Sequence, residues 1–391
     1  MRSFRFVSEG GGLSGPFPGV SWATAALSAA LVLCSCAPRL AYRVQSSRPD
    51  LGAAIAELAG QYGGQRGATL TAARPEQGPR GCVVDIAWRL GPNETPAGAS
   101  TDPGLPAVDR LGTALVLQRW AQGSRLAGEL PLLWDPWGVW GERDAVEAAL
   151  PGGGFSWADR STLEKRRLGI VVGGGDAGGA QAFYWLVAPA GDTAANSDAG
   201  FASDTKRWNS ETGRRSFAAF AAALADRSIL PGSQHFSRAD QEARAREPGP
   251  LVYLVPFSLQ FHWTWGASKS FAALVAGDGP ARAMVASILC ARIEGGTRRE
   301  RRAAADFIAW LLAPSQQRLL QDRTGLLSVN FAAPNLNGAA KVLRDRLLAA
   351  ASLDPVVPEP ADPEASRWSA LISSIVASPA SWEAHLRESS R

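Results

Sequence analysis

The sequence predicts an α/β protein whose helices cover the faces of its sheets. Three observations carry this. Apolar runs of strand length alternate with segments of helical period along most of the 391 residues. Apolar residues make up 46% of the chain, enough for one large core or for two lobes. The 41 Gly and 26 Pro are spread along the chain rather than gathered in one tract, so they mark turns between elements. No repeat of fixed period and no low-complexity domain interrupts the pattern.

The elements follow in order. Residues 48–64 place Leu51, Ile55, Leu58, Ala59 and Tyr62 on one helical face, and Gly63-Gly64 is expected to stop that helix. Cys82 to Leu90 is a buried strand carrying one acid, Asp85. A Pro/Gly/Ser/Thr loop covers 91–106, and a helix is expected over 108–121. Leu130 to Trp140 is apolar, holds two prolines, and is expected to be extended with a bend. Short helices are expected over 143–150 and after Asp159, with a strand over 168–172 that runs into Gly173-Gly174-Gly175. A helix over 216–229 presents Phe217, Phe220, Ala221 and Leu224, and strands are expected over 251–261 and 284–293. Helices follow over 299–313 and 315–324, separated by Pro314 and closed by Gly325. Further helices are expected over 341–351 and 367–376, with a proline-rich linker at 354–363 between them.

Charge and motifs exclude several function classes. A net charge of +4 is small for this length, and the basic runs Lys165-Arg166-Arg167 and Arg298-Arg299-Glu300-Arg301-Arg302 have few aromatics beside them. A groove built to stack bases interleaves the two, so no nucleic-acid partner is expected, and the runs read as solvated helix ends. The three His are isolated, with no metal-ligand spacing, and no nucleophile elbow occurs; neither a metal nor a cofactor is expected. The Gly173–Gly179 stretch lacks the Gly-Lys-Ser/Thr ending of a phosphate loop and is a turn. Cys82 and Cys290 sit in apolar runs and are expected to be buried thiols.

The N-terminus carries Arg2 and Arg5, then about 14 apolar residues from Val20 to Leu33, too short for a bilayer span and right for a signal-peptide core. Leu33-Cys34-Ser35-Cys36 resembles a bacterial lipobox, in which Cys36 takes the lipid. The chain is therefore expected to be exported and anchored to the cell membrane, facing the periplasm or the outside. Cleavage would remove the residues before Cys36, and two or three acyl chains, at about 0.8 kcal/mol per buried methylene, would hold the protein firmly.

Residues 300–331 (Glu-Arg-Arg-Ala-Ala-Ala-Asp-Phe-Ile-Ala-Trp-Leu-Leu-Ala-Pro-Ser-Gln-Gln, then Thr-Gly-Leu-Leu-Ser-Val-Asn) resemble the late segment of the extracellular solute-binding proteins of ABC importers, in their sugar-binding branch. Ala304, Phe307, Ile308, Leu311, Leu312, Pro314, Gln317, Gly325, Val329 and Asn330 match that pattern, with Ser328 in place of the usual Pro. The helix at Pro49 to Tyr62 is similar to that family's first helix. Leu130 through Asp159 is similar to its first crossing between lobes. The family's Gly-Lys-Ala-Ala-Met run before the second crossing is absent.

The resemblance implies a two-lobe, type II Venus-flytrap fold with hinge crossovers and a ligand held between the lobes. The implied division is 1–36 as leader, 37–133 with about 256–325 as the first lobe, and about 134–255 with 326–391 as the second. A monomer that hands a small polar solute, expected to be a sugar, to an ABC permease follows from it, and not an enzyme. Aromatic faces stack on sugars while Asp, Asn, Arg and Gln satisfy hydroxyls, and the expected contacts are Trp134, Asp135, Trp137, Trp140, His262, Trp263, Trp265 and Asp85. Large aromatics also fill cores, and both readings stand for these clusters. The rival functions are a lipoprotein of the same fold with a sensor or surface role, and an envelope glycan hydrolase with two carboxylates across a cleft.

Overall fold

The computed structural model describes residues 39–46, 48–73, 81–88, 129–155, 159–173, 208–247, 249–261, 269–276, 283–284, 286–330 and 364–389. The chain divides into residues 1–38 and a compact body from Arg39 to Arg391. Cys36, the expected helices over 108–121 and 341–351, and the linker at 354–363 lie outside the described residues.

In chain order the body runs β1 (Arg39–Gln45), α1 (Pro49–Arg66), β2 (Thr69–Ala72), β3 (Val83–Trp88) and the long β4 (Glu129–Glu142). Next come α2 (Arg143–Ala149), β5 (Gly154–Phe155), α3 (Arg160–Lys165), β6 (Gly169–Val172), α4 (Glu211–Ala225) and α5 (Arg238–Ala245). β7 (Leu251–Pro256), β8 (Lys269–Ala276), β9 (Ala283–Met284) and β10 (Ala286–Glu294) follow. The chain closes with α6 (Arg298–Leu311), α7 (Pro314–Thr324), β11 (Leu327–Ser328), α8 (Glu364–Ala377) and α9 (Trp382–Ser389).

These elements form where local chemistry allows. Pro49 opens α1, where its missing N–H costs nothing, and Leu51, Ile55, Leu58 and Tyr62 bury one face. The helix runs through Gly63-Gly64 rather than stopping there, and ends at Gly67, which takes a left-handed φ of 63°. Burial of Tyr62 against Phe307 and Trp310 holds the last turns despite the roughly 1 kcal/mol cost of each helical glycine. α4 starts five residues before the expected 216 because the Ser210 hydroxyl accepts from the Gly213 N–H. It ends before Arg227, which takes a left-handed φ of 64°. The expected strand 251–261 stops at Pro256 and becomes a 3-10 turn, Phe257–Phe261, since a proline has no N–H to extend the ladder. The expected strand 284–293 is two strands: β9 pairs with β8, and β10 belongs to another sheet.

β4 organises the whole. Its first half, Glu129 to Pro136, pairs antiparallel with β10, which pairs with β3; β3, β1 and β2 continue as parallel strands. β11 pairs with β4 at Trp134 and Leu133. Its second half, Trp137 to Glu142, pairs antiparallel with β7 and β8, and β6 lies parallel to β7. One strand therefore serves two sheets and changes partners between Pro136 and Trp137. By sheet membership β8 sits with the second sheet and β11 with the first.

Two cores follow. Leu58, Val84, Ile86, Leu132, Leu289, Phe307 and Ile308 belong to the first, with α1, α6 and α7. Val139, Ile170, Val172, Trp208, Phe217, Phe220, Leu254 and Trp368 belong to the second. Cys82 and Cys290 are buried in the first core. No helix among the described residues is long and apolar enough to cross a membrane.

Candidate functional site

The point where β4 changes partners is tied by a buried polar cluster. Ser258 donates its backbone N–H to Asp135 Oδ1 at 2.9 Å and its hydroxyl to Oδ2 at 2.6 Å. The same hydroxyl accepts from Arg48 Nη1 at 2.8 Å, and that nitrogen stands 3.8 Å from Asp135 Oδ2. Arg48 also pairs with Asp50 at 2.6 Å and donates to the Thr324 carbonyl. Four pieces of chain meet here: the start of α1, the bend of β4, the 3-10 turn after β7, and the end of α7. Asp135 is 4% exposed, so the cost of holding its charge there is met by these donors.

The strands around this hinge share a polarity. β3 runs antiparallel to β10 with Trp88 opposite Leu289, and β10 begins at the hinge, where Ala286 faces Pro136. The carboxyl ends of β1 and β3, at Ser46 and Trp88, therefore lie toward the hinge. In the second sheet Pro256, the last residue of β7, pairs with Trp137, and β6 ends beside it at Val172. The carboxyl ends of the parallel strands of both sheets converge on the hinge. That crevice is where open α/β sheets bind ligands. Trp88 is half-buried there, and its indole N–H donates to the Ser46 hydroxyl at 3.3 Å.

The expected contact residues fall in three groups. Trp134, Trp137 and Trp140 are 6, 9 and 5% exposed and do not share one surface. The period of two along β4 sends Trp134 and Trp140 into the first core and Trp137 into the second. Trp134 donates to the Ser328 carbonyl and Trp137 to the Ser287 hydroxyl, both at 3.1 Å, while Trp140 stacks on Phe257 and tilts onto Phe271. Asp85 is fully buried within the first sheet. It accepts from Arg43 at 2.6 Å, Gln45 at 2.9 Å and Arg292 at 2.8 Å, and so ties β1, β3 and β10 together. Asp135 is the hinge tie. His262, Trp263 and Trp265 lie outside the described residues.

Sequence reasoning missed Arg48 and Ser258, whose link to Asp135 spans distant parts of the chain. Trp88, the last residue of β3, was not among the expected contacts; it packs partly against the first core at the strand end. Gly173 ends β6 in close contact with the Gln241 side chain, which occupies the space a Cβ would need. Among the described residues no group of three or more His, Cys, Asp or Glu is placed to hold a metal.

No protein-family model and no curated protein matches the chain. Solved structures do. A putative binding protein MsmE from Bacillus subtilis in an open conformation aligns with a TM-score of 0.69 at 12% identity, over 91% of this chain and 97% of that one. The bacterial solute receptor AcbH, described as preferring β-D-galactopyranose exclusively, gives 0.64 at 13% identity, with the same two coverages. The GacH receptor of Streptomyces glaucescens, solved unliganded and with acarbose, gives 0.57 at 12% identity over 90% of this chain and 96% of that one. The chain has the two-lobed α/β fold of these solute receptors.

Proposed function

We propose that the chain is a lipid-anchored solute-binding protein. It captures a carbohydrate between its two sheets, closes about the hinge at Asp135, and delivers the sugar to an ABC permease without transforming it. The observation that carries this reading is the convergence of strand carboxyl ends from both sheets on one hinge, with the half-buried indole of Trp88 at its edge. The ligands named for the similar receptors, a galactopyranose and acarbose, support a sugar. An indole face beside a hydroxyl is chemistry that suits one.

In this reading Trp88, Ser46 and the segment after the 3-10 turn, with His262, Trp263 and Trp265, meet the ligand. Asp85, Asp135 and the Trp134–Trp140 series hold the sheets and hinge in place. Cys36 carries the lipid. The test is a fluorescence titration of the body with galactose, maltose, maltooligosaccharides and chitin oligosaccharides. Saturable quenching by one class, with the sugar recovered unchanged, supports the reading. Trp88→Ala should weaken that binding at least tenfold, the loss of about 1.4 kcal/mol or more. Hydrolysis of the sugar, or no response across the panel in folded protein, contradicts it.

A further inference from the structure

One row of side chains crosses β1 and β3 from the core to the crevice. Val44 pairs with Ile86 and Gln45 with Ala87, so the next step sets Ser46 beside Trp88, on the face that Val44 and Ile86 share. Ile86 is fully buried, whereas Ser46 and Trp88 are half-buried. The row therefore ends in a hydroxyl and an indole at the crevice.

We infer that Ser46 meets the solute as a hydrogen-bond donor only, and so selects a neutral oxygen of the solute (hydroxyl, ring or glycosidic) lying against Trp88. That role rests on the sugar-capture reading and sharpens it, since it states which kind of atom is read at this point and which groups are refused.

A serine oxygen carries two lone pairs and one proton. Both lone pairs are engaged here. The Trp88 indole N–H donates to Ser46 Oγ at 3.3 Å, and the Arg48 backbone N–H donates to the same oxygen at 3.2 Å. Among the described residues the hydroxyl proton has no acceptor, so it is left for what enters the crevice. An ammonium or amide N–H brought to this oxygen finds no lone pair. An acceptor oxygen finds a proton already held in the one remaining direction, because the two N–H groups fix the hydroxyl.

Charge decides between a neutral and an anionic oxygen. Arg48, the cation beside Ser46, pairs with Asp50 at 2.6 Å and stands 3.8 Å from Asp135 Oδ2. Two carboxylates face one guanidinium, so the local balance is negative. It repels a carboxylate or phosphate oxygen and leaves a sugar oxygen unopposed.

The test is a double-mutant cycle on residues 39–391, which pack as a body of their own. Affinity is read by calorimetric titration with galactose, maltose, maltooligosaccharides and chitin oligosaccharides. Ser46→Ala should weaken binding of the sugar that titrates about fivefold or more, the loss of one neutral hydrogen bond. Trp88→Phe keeps an aromatic face and removes the N–H that Ser46 accepts. In that background Ser46→Ala should cost about as much again, and Ser46→Thr, which restores a hydroxyl, should recover most of the loss. Water reaches this half-buried place, so Ser46→Ala is expected to melt cooperatively; Ser46→Cys, a weak donor of similar size, replaces it if it does not. No cost of Ser46→Ala in the Trp88→Phe background shows that the serine only holds the indole, and overturns the donor role. Equal affinity of Ser46→Ala and wild type overturns that role alone and leaves sugar capture standing. A wild type that binds no sugar of the panel overturns both.

Discussion

The Ser258 hydroxyl links Arg48 to Asp135, accepting from the guanidinium at 2.8 Å and donating to the carboxylate at 2.6 Å. Three segments distant in sequence are thereby fixed where β4 leaves one sheet for the other. Asp135→Ala removes the acceptor of both the Ser258 N–H and its hydroxyl and leaves these buried donors unpaired. Such a loss costs about 2 kcal/mol or more, to be read as a lower urea midpoint. Asp135→Asn keeps an oxygen for the Ser258 N–H and should cost about half as much.

Gly138 lies in β4 where β8 passes close. A Cβ there would run into the Ala272 carbonyl and come within 2.5 Å of the Phe271 ring, a ring wedged between Trp140 and Phe257. Gly138→Ala should therefore destabilise the second sheet by about 2 kcal/mol or more, measured by chemical denaturation. The neighbouring Val139 is fully buried on the other face, so its truncation to Ala should cost a similar amount through a cavity.

Ser328 departs from the proline that the family resemblance leads one to expect, and the structure shows what the serine does. Its N–H donates to Gln321 Oε1 at 2.8 Å, its hydroxyl meets Gln317 Oε1 at 2.7 Å, and it accepts from the Asn330 N–H at 2.9 Å. Asn330 in turn holds the Leu312 carbonyl at 2.7 Å. A proline supplies neither the N–H nor the hydroxyl. Ser328→Pro should lower stability by about 2 to 4 kcal/mol, although proline is the commoner residue in the family's pattern. An unchanged thermal midpoint would show that the knot contributes nothing.

Burial pushes the Cys82 thiol up to about 11 and the Tyr253 hydroxyl up to about 12. Both ionise earlier in the unfolded chain, so above about pH 9 the unfolded state binds fewer protons than the native one. Stability is whole below that pH and falls as pH rises toward 11 and 12. Urea midpoints from pH 8 to 11 should decline, less steeply in Cys82→Ala. At pH 8 the native thiol should resist a thiol reagent that labels it at once in urea.

Much of the fold was legible because local signals agreed with it. Pro314 separates two helices and Gly325 closes the second, and the apolar periods of 299–313 and 168–172 match buried faces. Gly63-Gly64 misled because tertiary burial of Tyr62 outweighs helix propensity. The hinge was legible as a bend in Leu130–Trp140, but its tie was not. Arg48, Ser258 and Asp135 are separated by 210 and 123 positions, and only folding brings them together. The tryptophans of β4 looked like one cluster in sequence, while a strand's period of two sends them to opposite faces.

The central claim, reversible capture of a sugar at the hinge, is tested most directly by a thermal-shift panel on the body. Monosaccharides, oligosaccharides, amino acids and polyols are each added in excess. A bound solute at 100 times its Kd stabilises the native state by about 2.7 kcal/mol. The account predicts a clear rise in Tm with one class of sugar, the sugar recovered intact, and the rise lost in Trp88→Ala. No rise with any sugar in protein shown to be folded, or a rise only with amino acids, would contradict it.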